Sequence, residues 1–185
     1  MSGAKFTLFI LIFFFFWGTS LNSIPIIQAT VHTGIANNPP WIQEEEKDIV
    51  LKAMLANFFI LSSFLNEVEV KQGYLLLRQA KNREEAINYL SQAFSNDLAI
   101  AIVDEYTWYI PELNCLAIKA GEGVPILTHE DIPYLNWKPI AKDCIVFSRN
   151  FSDCYSPGDI YCYQVEMRLY ESKWKISGLS LIELN

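Results

Sequence analysis

The sequence predicts an α+β domain in which N-terminal helices pack on one face of a curved antiparallel sheet, preceded by a signal segment. The chain begins with an apolar run that is shorter than a bilayer is thick. Apolar residues then recur at helical spacing as far as about residue 104. From Pro111 onward, turn signals separate runs in which apolar and polar residues alternate. Helices followed by a series of strands are typical of an α+β domain.

The N-terminal segment, residues 1–29, is interpreted as a signal peptide or an uncleaved anchor. Lys5 supplies a positive start, and residues 6–17 form an apolar run of 12 residues that is followed by small residues. Cleavage could occur there or after Ala29. A bilayer span needs about 20 apolar residues, so an anchor would have to include the polar stretch at residues 18–27. We therefore expect export of the chain.

The remainder is predicted to be a linker, residues 30–40, and a single α+β domain, residues 41–185. The linker has no apolar period and ends in Asn-Asn-Pro-Pro. A first helix follows Pro40 and is apolar nearly all round from about residue 49 to 65, as expected of a helix buried on several sides. A second membrane span is the alternative, but the apolar run of about 17 residues is short for that role and is interrupted by Asn57, Ser62 and Ser63.

Shorter elements follow the first helix. We predict a second helix over residues 74–80, and two more that begin at capping residues Asn82 and Ser95 or Asn96. The last of these helices is expected to run through Asp104, with extended structure from Tyr106. Alternatively, the whole of residues 98–110 could be a strand, because Ile, Val, Tyr and Trp favour sheets. The later strands are predicted over residues 114–120, 139–149, 161–170 and 174–184. A β-bulge is expected at Gly178, because the apolar parity of the last strand changes there.

Composition excludes several classes of function. The formal net charge is -7, and it becomes about one unit more negative without Lys5. Nucleic-acid binding needs a basic surface, so nucleic acid is not an expected partner. Contact with an anionic membrane is disfavoured for the same reason, except through an uncleaved N-terminal segment. The sequence carries no cofactor motif, and no cofactor is expected.

Four cysteines remain to be explained: Cys115, Cys144, Cys154 and Cys162. In an oxidising compartment an even number of cysteines favours pairing, so we predict one disulfide among Cys144, Cys154 and Cys162. Their separations of ten and eight residues do not match the short paired spacing of a zinc site, and no metal is expected. In a less oxidising compartment all four would be small buried hydrophobic residues.

Two segments resemble nuclear transport factor 2-like domains. They are residues 89–98 (YLSQAFSNDL) in the helical half and residues 171–176 (ESKWKI) at the final turn and strand. The resemblance covers roughly residues 45–184, and many small exported bacterial members of that superfamily end in such a turn and strand. It implies a cone-like fold in which helices close over a bent sheet, with a pocket at the wide end. It implies no single function, because such folds support many. The first helix is longer than the family pattern.

Candidate chemistry rests on three residues. His129 is flanked by two carboxylates and could act as an acid or base, since histidine titrates near neutrality. The alternative is structural: Thr128 caps a helical turn whose first residues include acids. Asp104 and Tyr106 lie where the last helix enters the sheet, and the resemblance implies that such residues can line a pocket.

We therefore expect an exported, non-enzymatic domain that binds a partner or a small ligand at the cell envelope or outside the cell. One alternative is a small acid/base enzyme whose pocket holds Asp104, Tyr106 and His129. Another is a membrane-tethered assembly domain in which the outer face of the sheet forms a dimer. The 51% of hydrophobic residues is enough for a packed core in each case.

Overall fold

The computed structural model describes residues 44–119, 124–153 and 156–184. The predicted signal segment, the predicted linker and Cys154 lie outside these residues. The structure therefore does not bear on whether the N-terminal segment is a cleaved signal peptide or an anchor.

Three helices and eight strands form the described part of the chain, together with two short 3-10 helices, Pro111–Leu113 and His129–Tyr134. The helices are α1 (Glu44–Asn66), α2 (Arg83–Leu90) and α3 (Asn96–Tyr106). The strands are β1 (Val68–Lys71), β2 (Tyr74–Leu77), β3 (Thr107–Ile110), β4 (Cys115–Ile118), β5 (Asn136–Ala141), β6 (Cys144–Ser152), β7 (Ile160–Tyr170) and β8 (Lys173–Glu183). The α+β class is confirmed.

The strands form two antiparallel sheets where the sequence predicted one. The first has the order β1-β2-β4-β3 and the second the order β5-β6-β7-β8. The second sheet is a simple meander of consecutive strands, joined by the tight connections that antiparallel neighbours allow. In the first sheet, α2 and α3 connect β2 to β3 along the chain. Strand β4 lies between these two strands in the sheet and pairs with both.

Helix α1 supplies one wall of the core. Its buried residues recur every three or four positions and so line one face of the helix: Val50, Met54, Phe58, Leu61 and Phe64. The helix lies against β8, where the Asn57 side-chain amide donates a hydrogen bond to the Trp174 carbonyl at 3.0 Å. Its length and composition would also allow it to cross a membrane, so the length argument made from the sequence does not separate the two roles.

The prediction of a helix over residues 74–80 is wrong, because residues 68–77 form a β-hairpin. Gln72 and Gly73 have φ values of 52° and 83°, which matches the two-residue turn that joins antiparallel strands with the correct twist. Leu76 and Leu77 are both buried, and adjacent strand residues face opposite sides of a sheet. Burial of both leucines therefore outweighs the helix propensity of the leucine-rich segment.

Both predicted helix caps are confirmed. The Asn82 side chain accepts a hydrogen bond from the Glu85 backbone N–H at 2.9 Å, and Ser95 caps α3 through the Leu98 N–H at 3.4 Å. Helix α3 ends at Tyr106, where extended structure was expected. Each cap satisfies an N–H group that the first turn of a helix leaves without a partner.

In the second sheet, the single strand predicted over residues 139–149 is instead two strands, β5 and β6, which are joined by a turn at Lys142 and Asp143. The predicted strand over residues 161–170 is confirmed as β7. The predicted bulge is also confirmed, because Gly178 pairs with Glu166 while Ile176 pairs with Met167, which leaves Ser177 as the extra residue.

The main core lies between the helices and both sheets. Its largest fully buried side chains include Phe58, Phe94, Phe147 and Tyr163, and it also takes Leu77 and Leu116 from the first sheet. The opposite face of the first sheet carries a smaller cluster of Leu76, Ile110 and Ala117.

The predicted disulfide is not present among the described residues, in which Cys115, Cys144 and Cys162 are free. Cys144 lies opposite Arg168 and Cys162 lies opposite Asn150 in the β6–β7 register. The two cysteines are thus six positions apart along the ladder, which at about 3.4 Å per residue is far beyond disulfide reach.

Candidate functional site

Asp104 lies near the end of α3 and is held in an ion pair. The Arg83 guanidinium donates two hydrogen bonds to its carboxylate, at 2.7 Å from Nε and 2.8 Å from Nη2. Those hydrogen bonds lower the pKa of the Asp104 carboxyl, with a further contribution from the charges of Arg83 and Lys119. A carboxylate with a lowered pKa binds protons weakly. The ion pair therefore joins α2 to α3, and it makes Asp104 a poor general acid or base.

Tyr106 is the last residue of α3 and is half-buried against the main core. The nearby Tyr163 ring is buried, and its hydroxyl donates a hydrogen bond to the Pro125 carbonyl at 2.8 Å. Burial raises the pKa of the Tyr163 hydroxyl, and proximity to Tyr106 raises it further. Both tyrosines thus belong to the packed interior, where the neutral form of Tyr163 is strongly preferred.

His129 is exposed at the first position of the 3-10 helix. Thr128 and Asp131 make a capping box around it: the Asp131 carboxylate accepts from the Thr128 N–H at 2.6 Å, and the Thr128 hydroxyl accepts from the Glu130 N–H at 3.3 Å. The structural interpretation of this segment is therefore confirmed. Among the described residues, no hydrogen bond or ion pair joins His129 to Asp104.

A partly buried ion pair that the sequence did not indicate anchors the same 3-10 helix to the sheet. Arg149 of β6 pairs with Asp131, which is only 8% exposed. The guanidinium lies 5.1 Å from the Tyr134 ring centre and 4.3 Å from that of Phe151. Stacking against two aromatic faces and pairing with a carboxylate are both typical of arginine. Its role here is to hold the helix in place.

The clefts on the surface of the described residues include two small ones. One, of about 120 Å³, lies between the start of α1 and β5, and is lined by Lys47, Asp48, Leu51, Ile132, Leu135, Trp137 and Phe147. The other, of about 180 Å³, is lined by Arg83, Val103, Asp104, Thr107, Trp108, Tyr109 and Leu116. Small-molecule sites usually hold about 300–1,000 Å³. Neither cleft brings His129 together with Asp104.

A different feature is large enough to receive a partner. Strand β8 lies at the edge of its sheet, and only its first half is covered. There, Ile176 accepts a hydrogen bond from the Ser95 N–H and donates one to the Ala93 carbonyl, both at 2.9 Å. Beyond Gly178, none of the described residues pairs with the outer side of the strand. We call residues 179–184 the open edge.

The register shows which backbone groups of the open edge point outward. The Leu184 N–H donates to the Ile160 carbonyl at 2.7 Å. Bonded and non-bonded pairs alternate along an antiparallel ladder, so the even-numbered residues of the open edge bond to β7. The odd-numbered residues therefore present one N–H and one C=O each toward solvent: Leu179, Leu181 and Glu183.

Apolar side chains accompany these backbone groups on both faces of the sheet. Four of them are 41–42% exposed, namely Ile160, Leu181, Ile182 and Leu184. Glu183 is the only charged residue of the open edge. The opposite edge strand, β5, carries Lys138, Pro139 and a register shift, which are features that prevent edge-to-edge pairing. The open edge has no lysine, proline or bulge.

Comparison with protein-family models and with curated proteins finds no match to this chain. The resemblance to nuclear transport factor 2-like domains therefore stays a prediction from the sequence. The function proposed for this chain therefore depends on the surface features described above.

Proposed function

We propose that this chain is an exported, non-enzymatic domain that binds an extended segment of a partner protein along the open edge. The observation that carries the proposal is the outward row of backbone N–H and C=O groups at Leu179, Leu181 and Glu183, beside exposed apolar side chains. An extended peptide that adds a strand to a sheet edge gains main-chain hydrogen bonds there, and its alternate side chains provide specificity.

Two properties favour a protein over other partners. The net charge of -7 disfavours nucleic acid. The clefts of about 120 and 180 Å³ are small for an organic ligand. A strand needs no deep pocket, because its backbone pairs with the edge and its side chains lie across the two faces of the sheet.

Export is supported by the N-terminal sequence, where Lys5 precedes the apolar run of residues 6–17. The partner is accordingly at the cell envelope or outside the cell. A non-enzymatic role is supported by the lowered pKa of Asp104, by its ion pair with Arg83, and by the exposure of His129. The cone-like arrangement implied by the family resemblance is part of the same proposal, as the frame that carries the open edge.

Site-specific photo-crosslinking in the organism that makes the protein tests this proposal. A photo-reactive amino acid at Glu183 should give a discrete covalent adduct with one protein, which mass spectrometry identifies. Leu181→Lys should remove most of that adduct, because a strand paired there would bury the new charge. The matched control is Ile140→Lys on the β5 edge, where the native side chain is 54% exposed and the adduct should persist. Absence of any adduct, or its persistence in Leu181→Lys, would refute the proposal.

A further inference from the structure

Strand β1 is another edge, at the end of the first sheet, and no other strand of the described residues pairs with its outer side. It is the terminal strand in the order β1-β2-β4-β3, and its Val70 side chain is 71% exposed. We propose that β1 pairs in antiparallel fashion with β1 of a second copy of this chain, centred on Val70, so that two sheets of four strands become one sheet of eight. This inference is independent of partner binding at the open edge, since it concerns a different sheet.

The hairpin register determines which groups β1 offers to a neighbour. A two-residue turn at Gln72 and Gly73 joins β1 to β2, so the flanking pair Lys71 and Tyr74 is hydrogen-bonded. Bonded and non-bonded pairs then alternate, which makes Glu69 face β2 as well. The N–H and C=O groups of Val68 and Val70 therefore point away from the sheet, toward a strand that would pair with this edge.

Charge selects one register among those that two identical strands can adopt. Paired residues must both face outward or both face inward, so the two-fold axis passes through a residue pair. Centring on Val70 places Glu69 opposite Lys71 of the second copy, twice by symmetry. Centring on Val68 places Glu67 opposite Glu69 of the second copy, and centring on Glu69 places the two copies of Glu69 opposite each other. Like charges directly opposite are destabilising.

The same register also covers apolar surface. Val70 pairs with Leu75, which is 40% exposed, so the two side chains share one face of the hairpin. In the proposed dimer, the two copies of Val70 meet and extend this pair into a row of four side chains across the axis. Ile118 of β4 continues the row, because Leu76 pairs with Ala117. A strand of four residues is short, so we expect a reversible dimer rather than a permanent one.

Sedimentation velocity on the chain as recovered from expressing cells tests the dimer. The native sequence should show a concentration-dependent monomer–dimer equilibrium. Val70→Lys should be monomeric at the same concentrations, because two ammonium groups would meet at the axis. Ile49→Lys, at a site on α1 that is 55% exposed, is the matched control and should leave the equilibrium unchanged.

A charge exchange tests the register itself and does not rely on removing an apolar residue. Glu69→Lys and Lys71→Glu should each weaken the dimer about tenfold, because each converts two favourable cross-strand pairs into repulsive ones. The double variant restores opposite charges and should dimerise like the native chain. A native chain that stays monomeric at high concentration, a dimeric Val70→Lys, or a double variant as weak as the single ones would each overturn the inference. Far-UV circular dichroism of all variants confirms that they are folded.

Discussion

Phe58 and Phe59 are neighbours in α1 with opposite surroundings. Phe58 is 1% exposed and belongs to the main core, whereas Phe59 is 71% exposed. One residue turns an α-helix by about 100°, so adjacent identical side chains can lie on different faces. The sequence alone treats them alike, because the helix is apolar nearly all round.

The pair gives an internal comparison of burial. Phe58→Ala should lower the free energy of unfolding by about 3–5 kcal/mol, because it removes a ring from a packed core and leaves a cavity. Phe59→Ala should change it by about 0.5 kcal/mol or less, since the ring already contacts water. Urea denaturation measures both, and equal effects would contradict the placement of α1.

Tyr163 predicts how stability responds to alkaline pH. Burial raises the pKa of its hydroxyl above the usual value of about 10. The unfolded chain therefore loses this proton more readily as the pH rises through 10, so stability falls in that range. Tyr163→Phe should reduce the steepness of this fall. At neutral pH the same substitution should lower the free energy of unfolding by about 1 kcal/mol, because the hydrogen bond to the Pro125 carbonyl is lost. Urea melts between pH 8 and 11 measure both effects, and identical pH profiles would refute the first.

At the scale of elements, the β1–β2 hairpin depends on its turn. Gln72 and Gly73 both have positive φ, and a Cβ atom added at Gly73 would meet no atom within 4 Å. A substitution at Gly73 is thus opposed by backbone conformation and not by crowding.

Gly73→Ala should therefore lower the free energy of unfolding by about 1 kcal/mol. Gln72→Asn should raise it by a few tenths of a kcal/mol, because asparagine adopts positive φ more readily than glutamine. Thermal or urea denaturation gives both values. If the two substitutions changed the free energy of unfolding in the same direction, residues 72 and 73 would not form this turn, and a helix over the segment would have to be reconsidered.

At the scale of the whole molecule, the free cysteines of the described residues make a chemical prediction. At least three thiols per chain should react with a thiol reagent in guanidinium without reductant, namely Cys115, Cys144 and Cys162. Denaturation removes the protection that burial gives Cys144. N-terminal sequencing of the same sample tests for cleavage near residue 20 or 29. Fewer than three reactive thiols would show that the chain forms a disulfide.

Features that depend on neighbouring residues were predicted well. The caps at Asn82 and Ser95, the end of α3 and the bulge at Gly178 each follow from residues within a few positions of one another. The hairpin was missed because its strands depend on β4, which lies about 40 residues later in the chain. The division into β5 and β6 was missed because a short polar turn at Lys142 resembles an alternating strand. The Arg149–Asp131 pair was missed because it joins two distant segments.

The sequence by itself determined the class of the domain, the helix boundaries near their caps and the net charge of -7, because these are properties of composition and short-range pattern. Only the tertiary structure decided that Asp104 and His129 are not brought together, and that β1 and the second half of β8 are left as edges. A strand becomes an edge through the order in which distant segments pair. That order is set by packing in the common core, and no local pattern encodes it.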